Sequence, residues 1–180
     1  MLQFFLALSR GIDRIGEWAG RLASVLVLMA VLASAGTATV RYGLNLASNA
    51  WIEVQAVLFG AVVYLGGARA LRLNEHIRID IFYGARSERT RLLIDIFGLL
   101  CFLLPVSVVM GWMTWDQFLV SYLSAEVSPN AGGLPIWPTK VTLPIGFALL
   151  TLQGVSELIK RVASLRGDYQ LDLHYEKPQQ

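Results

Sequence analysis

Residues 96–115 read IFGLLCFLLPVSVVMGWMTW, twenty positions without one charged side chain. At about 1.5 Å of rise per residue, a helix of that length crosses a hydrocarbon core of about 30 Å. Hydrocarbon offers backbone amides no water, so a spanning segment must satisfy them internally, as a helix. Working outward, three more uncharged runs stand at 22–40 (LASVLVLMAVLASAGTATV), 54–68 (VQAVLFGAVVYLGGA) and 141–156 (VTLPIGFALLTLQGVS). The first is long enough unaided. The second reaches spanning length as about 51–73, with Glu53 and Arg69 near its ends. The last does so as about 138–162, with Lys140 and Lys160 reaching toward the two interfaces. The expected fold class is an all-α integral membrane protein with spans near 22–42, 51–73, 92–124 and 138–162, one transmembrane domain over 22–165. A cleaved leader is the alternative for the first run, because Ala33-Ser34-Ala35 resembles a cleavage site. The long preceding segment with Asp13 and Glu17 argues for a retained span.

Composition agrees. Of 180 residues, 55% are hydrophobic and 16% charged, with a mean hydropathy of +0.54; soluble domains carry about 25% charge. A net charge of +2 gives no electrostatic footprint for nucleic acid. Cys101 is the single cysteine, and His76 and His174 lie far apart, which excludes a metal site built on Cys/His spacing. No histidine falls inside a span to ligate haem. No Gly-rich phosphate loop, nucleophile elbow or HExxH is present, so no enzyme and no cofactor is expected.

The basic residues set the expected orientation. Thirteen fall in the N-terminal segment, the second connection and the tail, and two, Arg41 and Lys140, on the other side. The positive-inside rule then makes both termini cytoplasmic. Tyr42, Trp51, Trp112, Trp115 and Trp137 gather toward the opposite interface, where amphipathic rings are favoured. Residues 1–21 place Phe5, Leu8, Ile12, Ile15 and Ala19 on one helical face, as in an amphipathic helix on the inner surface. Residues 166–180 form a polar cytoplasmic tail.

Local signals refine the spans. Ser87 is an expected N-cap for the third helix, which meets no breaker until Ser128-Pro129 and is bent by Pro105. Pro138 suits the first turn of the fourth helix. Pro144 lies inside it, with Thr139 and Thr142 near the freed carbonyls. Small residues crowd the outer half of the first span, and Ala56, Gly60, Gly66, Gly67 and Ala70 lie in the second. Such faces let membrane helices approach closely, within the chain or against a partner. No acidic residue of the kind an ion carrier uses is found at mid-depth: Glu53 sits near the outer boundary and Asp95 near the inner one. Glu53 and Lys140 share the outer level and are expected to pair; Arg69, Asp95 and Glu157 share the inner level.

The residues Trp51-x-Glu53, Gly66-Gly67-Ala68-Arg69 and His76-Ile-Arg-Ile-Asp80 resemble the second-helix signature of DctQ-like subunits. These are the small membrane subunits of tripartite ATP-independent periplasmic (TRAP) transporters. Leu134-Pro135-Ile136-Trp137-Pro138, then Leu143-Pro144-Ile145-Gly146, resembles the family's approach to its fourth helix. One departure is Tyr83-Gly84-Ala85-Arg86, where many members carry Leu-Pro. The resemblance implies a bacterial inner-membrane scaffold subunit of a sodium-coupled organic-acid symporter, with no sodium of its own. Its implied partners are the large elevator-type membrane subunit, which carries the sodium and substrate sites, a periplasmic substrate-binding protein, and membrane lipid. Trp51, Glu53, Gly60, Gly66, Gly67, Arg69, His76, Asp80, Pro135, Trp137, Lys140 and Pro144 are the resulting interface or structural candidates. A small independent transporter and a membrane anchor for a redox enzyme remain the alternatives.

Overall fold

The computed structural model describes residues 2–46, 48–74, 83, 86–130 and 133–169. Within them the chain forms four helices: α1 (Leu2–Leu44), α2 (Asn49–Leu73), α3 (Glu88–Leu123) and α4 (Trp137–Leu165). All four are long and apolar enough to cross a membrane. Their ends follow from local chemistry. Asn74 takes the left-handed conformation, φ 58°, that closes α2, and its N–H reaches the carbonyls of Ala70 and Leu71. The Ser87 hydroxyl accepts the Thr90 N–H at 3.4 Å, capping α3 as its sequence anticipates. Pro138 occupies the first turn of α4, where no amide partner is needed.

Two antiparallel hairpins, α1/α2 and α3/α4, join along α2 and α4. In the first, Gln55 donates to the Thr37 hydroxyl at 3.0 Å, and Gly66 faces Ala23. In the second, Thr151 donates to the Ser107 hydroxyl at 2.9 Å. The seam between hairpins depends on glycine: a Cβ on Gly146 would stand 2.6 Å from the Cβ of Tyr64 and 2.9 Å from its carbonyl oxygen. Lipid tails give helices no hydrophobic reason to associate, so close contact through small residues supplies the attraction. The interior accordingly holds Ala61, Ala68, Gly146, Gly154, Ser107, Thr114 and Ser121 rather than a mass of leucine.

Two features differ from the sequence expectation. Residues 2–21 are helical, as their pattern requires, but they run unbroken into the first span as one helix of 43 residues. Its Ser9 and Ile12 are almost inaccessible and pack on the bundle, while Phe5, Leu8 and Ile15 of the expected apolar face stay exposed. Pro105 is expected to bend α3, and the structure shows a change of winding beside it. A π turn at Leu99–Leu103 precedes it, and the wider winding accommodates a residue that offers no N–H and crowds the preceding turn. In α4 the Thr142 hydroxyl donates to the Thr139 carbonyl at 2.7 Å, one residue before the carbonyl that Pro144 leaves free.

Candidate functional site

The densest polar assembly lies where the N-terminus of α1, the C-terminus of α2, the start of α3 and the end of α4 converge. Asp13 of α1 is its hub. Its carboxylate accepts from Gln153 at 2.8 Å, from Ser156 at 2.8 Å and from Lys160 at 3.2 Å, all on α4. One turn earlier the hydroxyls of Ser9 and Ser156 are 2.7 Å apart. One turn later Glu17 accepts from Arg72 at 2.6 Å and stands 3.4 Å from Arg69, both on α2. On α4, Glu157 accepts from Lys160 and Arg161, and Arg161 donates to Asp95 of α3 at 3.0 Å. Four carboxylates (Asp13, Glu17, Asp95, Glu157) thus meet four cations (Arg69, Arg72, Lys160, Arg161), and all four helices contribute.

Gln153, Ser156, Glu157 and Lys160 are each no more than 7% exposed. Burial at that level makes each charge depend on its partners, because an unpaired ion in low dielectric is heavily penalised. The backbone is shaped for the contact. At Gly16 a Cβ would lie 2.9 Å from Gln153 Oε1, and at Gly20 one would collide with the Arg69 side chain. Glycine is required at Gly20, where the Arg69 Cβ itself would stand 2.8 Å away, and at Gly16 it leaves room for the Gln153 amide. Sequence reasoning placed Arg69, Asp95 and Glu157 at one level but missed Asp13, Gln153, Ser156, Lys160 and Arg161. The signal was present: Ser9, Asp13, Gly16 and Gly20 share one face at helical spacing, as do Gln153, Ser156, Glu157 and Lys160.

The opposite end carries a second polar arrangement, and it corrects the expected Glu53–Lys140 pair. The connection from α3 to α4 folds back on itself. Val127 and Pro135 form an antiparallel bridge, Ser128 N–H donates to the Leu134 carbonyl at 2.9 Å, and Ile136 N–H donates to that of Glu126 at 3.0 Å. This fold brings Glu126 to Lys140 at 2.5 Å. Glu53 instead accepts from the Ser128 hydroxyl at 2.5 Å and the Asn130 side-chain amide at 2.8 Å, which ties α2 to the loop. The loop, not a shared depth, sets the partners of both residues. The Lys140 ammonium beside Glu126 holds its carboxyl below the usual carboxylate range.

The remaining candidates disperse. Trp51 lines an apolar groove of about 460 Å³ between the outer ends of α1 and α2, with Ala33, Gly36 and Thr37 on its floor. Trp137 meets the Tyr122 ring edge-on at 5.7 Å, and Pro144 is buried in α4. Gly66 packs on α1, whereas Gly60 and Gly67 have open space where a side chain would be. His76 and Asp80 lie outside the described residues.

Helices of this length, in this arrangement, define a multi-pass helical membrane protein whose interior polar groups bind its own helices together. The family described as tripartite ATP-independent periplasmic transporters, DctQ component, matches residues 29–164, and the chain belongs to that family. It is therefore a component of a TRAP transport system, a family of transporter parts and not of enzymes. No curated protein and no solved structure matches the chain.

Proposed function

We propose that the chain is the small scaffold subunit of a sodium-coupled, binding-protein-dependent transporter for organic acids. It sits in the bacterial inner membrane with both termini cytoplasmic, and it supports a large elevator-type subunit that carries sodium and substrate. The polar seam is the observation that favours this reading. Asp13, Glu17 and Asp95 are each paired with cations on neighbouring helices, and Glu157 pairs with Lys160 and Arg161 of its own helix, which reach on to Asp13 and Asp95, so the ionisable groups tie the four helices together. A fixed body of this kind suits a support against which another subunit moves. The thirteen-to-two distribution of basic residues supports the orientation. Cysteines at positions 46 and 130 are expected to label from the periplasm, and one at 86 is not.

Reconstitution tests the proposal. The large subunit and its binding protein are expected to show little sodium-driven organic-acid uptake in liposomes until this chain is added. Full uptake without it, or uptake driven by this chain alone, would overturn the scaffold reading; the second result would favour an independent transporter.

A further inference from the structure

Where the α1/α2 hairpin meets the seam, the charges do not balance. Three guanidiniums converge on the Glu17 carboxylate: Arg72 at 2.6 Å, Arg21 at 3.3 Å and Arg69 at 3.4 Å. Asp13, the other carboxylate of α1, is taken by Lys160. Three cations against one anion leave two positive charges that no described residue neutralises. Arg69 is the least satisfied of the three. Its side chain lies across Gly20 and makes no hydrogen bond among the described residues, since the Glu17 oxygen nearest it accepts from Arg72 instead. Its Nε–H is closed to solvent, so water at the membrane boundary does not satisfy it. An unmet donor of this kind is costly, which favours an acceptor brought to this guanidinium.

The same side chain opens on a groove. Gly20, Ala23 and Val27 of α1 and Val62, Gly66 and Arg69 of α2 line a cavity of about 180 Å³. Val27 and Val62 also line a second cavity, of about 280 Å³, which continues along the hairpin past Phe59 to Ser34. From Gly20 to Ser34 the path along α1 is about 21 Å, somewhat more than the half-thickness of about 15 Å that one acyl chain fills. Surplus cations at one end and an apolar trough leading into hydrocarbon match the two halves of a phospholipid.

We propose that this groove binds an anionic glycerophospholipid, with its phosphate on Arg69 and Arg21 and one acyl chain along Val27, Val62 and Phe59. The unbalanced charge selects an anionic headgroup over a zwitterionic one, as basic pockets between membrane helices do. A neutral lipid would fill the trough and leave the charge; a free phosphate would meet the arginines and leave the trough. The orientation proposed above makes the leaflet the cytoplasmic one, whereas the binding itself does not depend on that reading.

Native mass spectrometry of the purified chain, released from micelles holding equal dioleoyl phosphatidylglycerol and dioleoyl phosphatidylcholine, tests the site. Phosphatidylglycerol is expected to stay bound in preference to phosphatidylcholine. Arg21 is 69% exposed, so Arg21→Gln leaves the packing alone. It should weaken that retention about fivefold, the worth of one basic residue near an anionic surface. Arg69→Gln should weaken it at least as much, and Ala30→Phe should weaken it by filling the trough without touching a charge. Arg89→Gln, at an exposed cation of α3, should not change it. Equal retention of the two lipids, indifference to Arg21→Gln or Ala30→Phe, or an Arg89→Gln effect as large as that of Arg21→Gln would overturn the site. Displacement of phosphatidylglycerol by excess inorganic phosphate would overturn the lipid in favour of a bare anion site. Selective retention together with reversed cysteine labelling would refute the orientation alone and move this same site to the other leaflet.

Discussion

Replacing Glu157 with glutamine keeps the shape of the side chain and removes one negative charge from the middle of the seam. Glu157 is 3% exposed, and it accepts from Lys160, from Arg161 and, at 3.3 Å, from Gln153. Taking one partner from a buried ion pair costs about 3–5 kcal/mol, because the remaining charge stays desolvated. Here Lys160 retains Asp13 at 3.2 Å and Arg161 retains Asp95 at 3.0 Å. The expected loss therefore falls at the lower end, about 3 kcal/mol. An ordinary interhelix hydrogen bond in a membrane averages about 0.6 kcal/mol, so the two accounts are separable. Reversible unfolding of the purified chain in mixed micelles, followed by helicity over a denaturing-detergent titration, supplies the measurement. Adding Lys160→Gln to Glu157→Gln should recover part of the loss, since the pair is coupled. A Glu157→Gln loss below about 1 kcal/mol, the size of an ordinary hydrogen bond, would refute the claim that the seam is held by mutually dependent charges.

The two kinds of glycine on α2 and α4 should behave oppositely. Gly146→Ala must push α2 and α4 apart at Tyr64 and is expected to cost about 1–3 kcal/mol in the same titration, whereas Gly60→Leu, with open space around it, should leave the isolated bundle unchanged. Acidification should loosen the outer loop. Glu126 has a lowered folded-state pKa, so its contribution is complete above the ordinary carboxylate value and is lost as pH falls through the folded one. Hydrogen exchange of residues 124–130 should rise across that window, and Lys140→Met should weaken that pH dependence.

The spans were legible because hydrocarbon acts on runs of residues, and 22–40 and 96–115 state their meaning without tertiary information. The partners of the charges were less so. Depth along a helix can be counted from sequence, but the direction of a side chain around the axis depends on which neighbour packs where. Glu53 and Lys140 are expected at one depth and still choose other partners, because the Val127–Pro135 bridge carries Ser128 to Glu53 and Glu126 to Lys140. The N-terminal segment shows a related ambiguity. An amphipathic pattern reports that two faces differ, and the face holding Ser9, Asp13, Gly16 and Gly20 was one for packing against polar helices.

The π turn in α3 has a consequence for how that helix tolerates change. Its inward residues, Leu92, Leu99, Ser107, Thr114 and Ser121, recur every seven positions except once, where the interval is eight. The added residue falls within Leu99–Leu103. The wider turn absorbs it, since one residue of regular α-helix corresponds to about 100° of rotation and would otherwise carry Ser107 off the inward face. Deleting a single residue there would make every interval seven, so a regular helix would keep Asp95 beside Arg161 and Thr114 in the bundle. Rewinding the turn as α-helix with its residue retained would instead rotate the far half of α3 by about 100° and carry Thr114 outward.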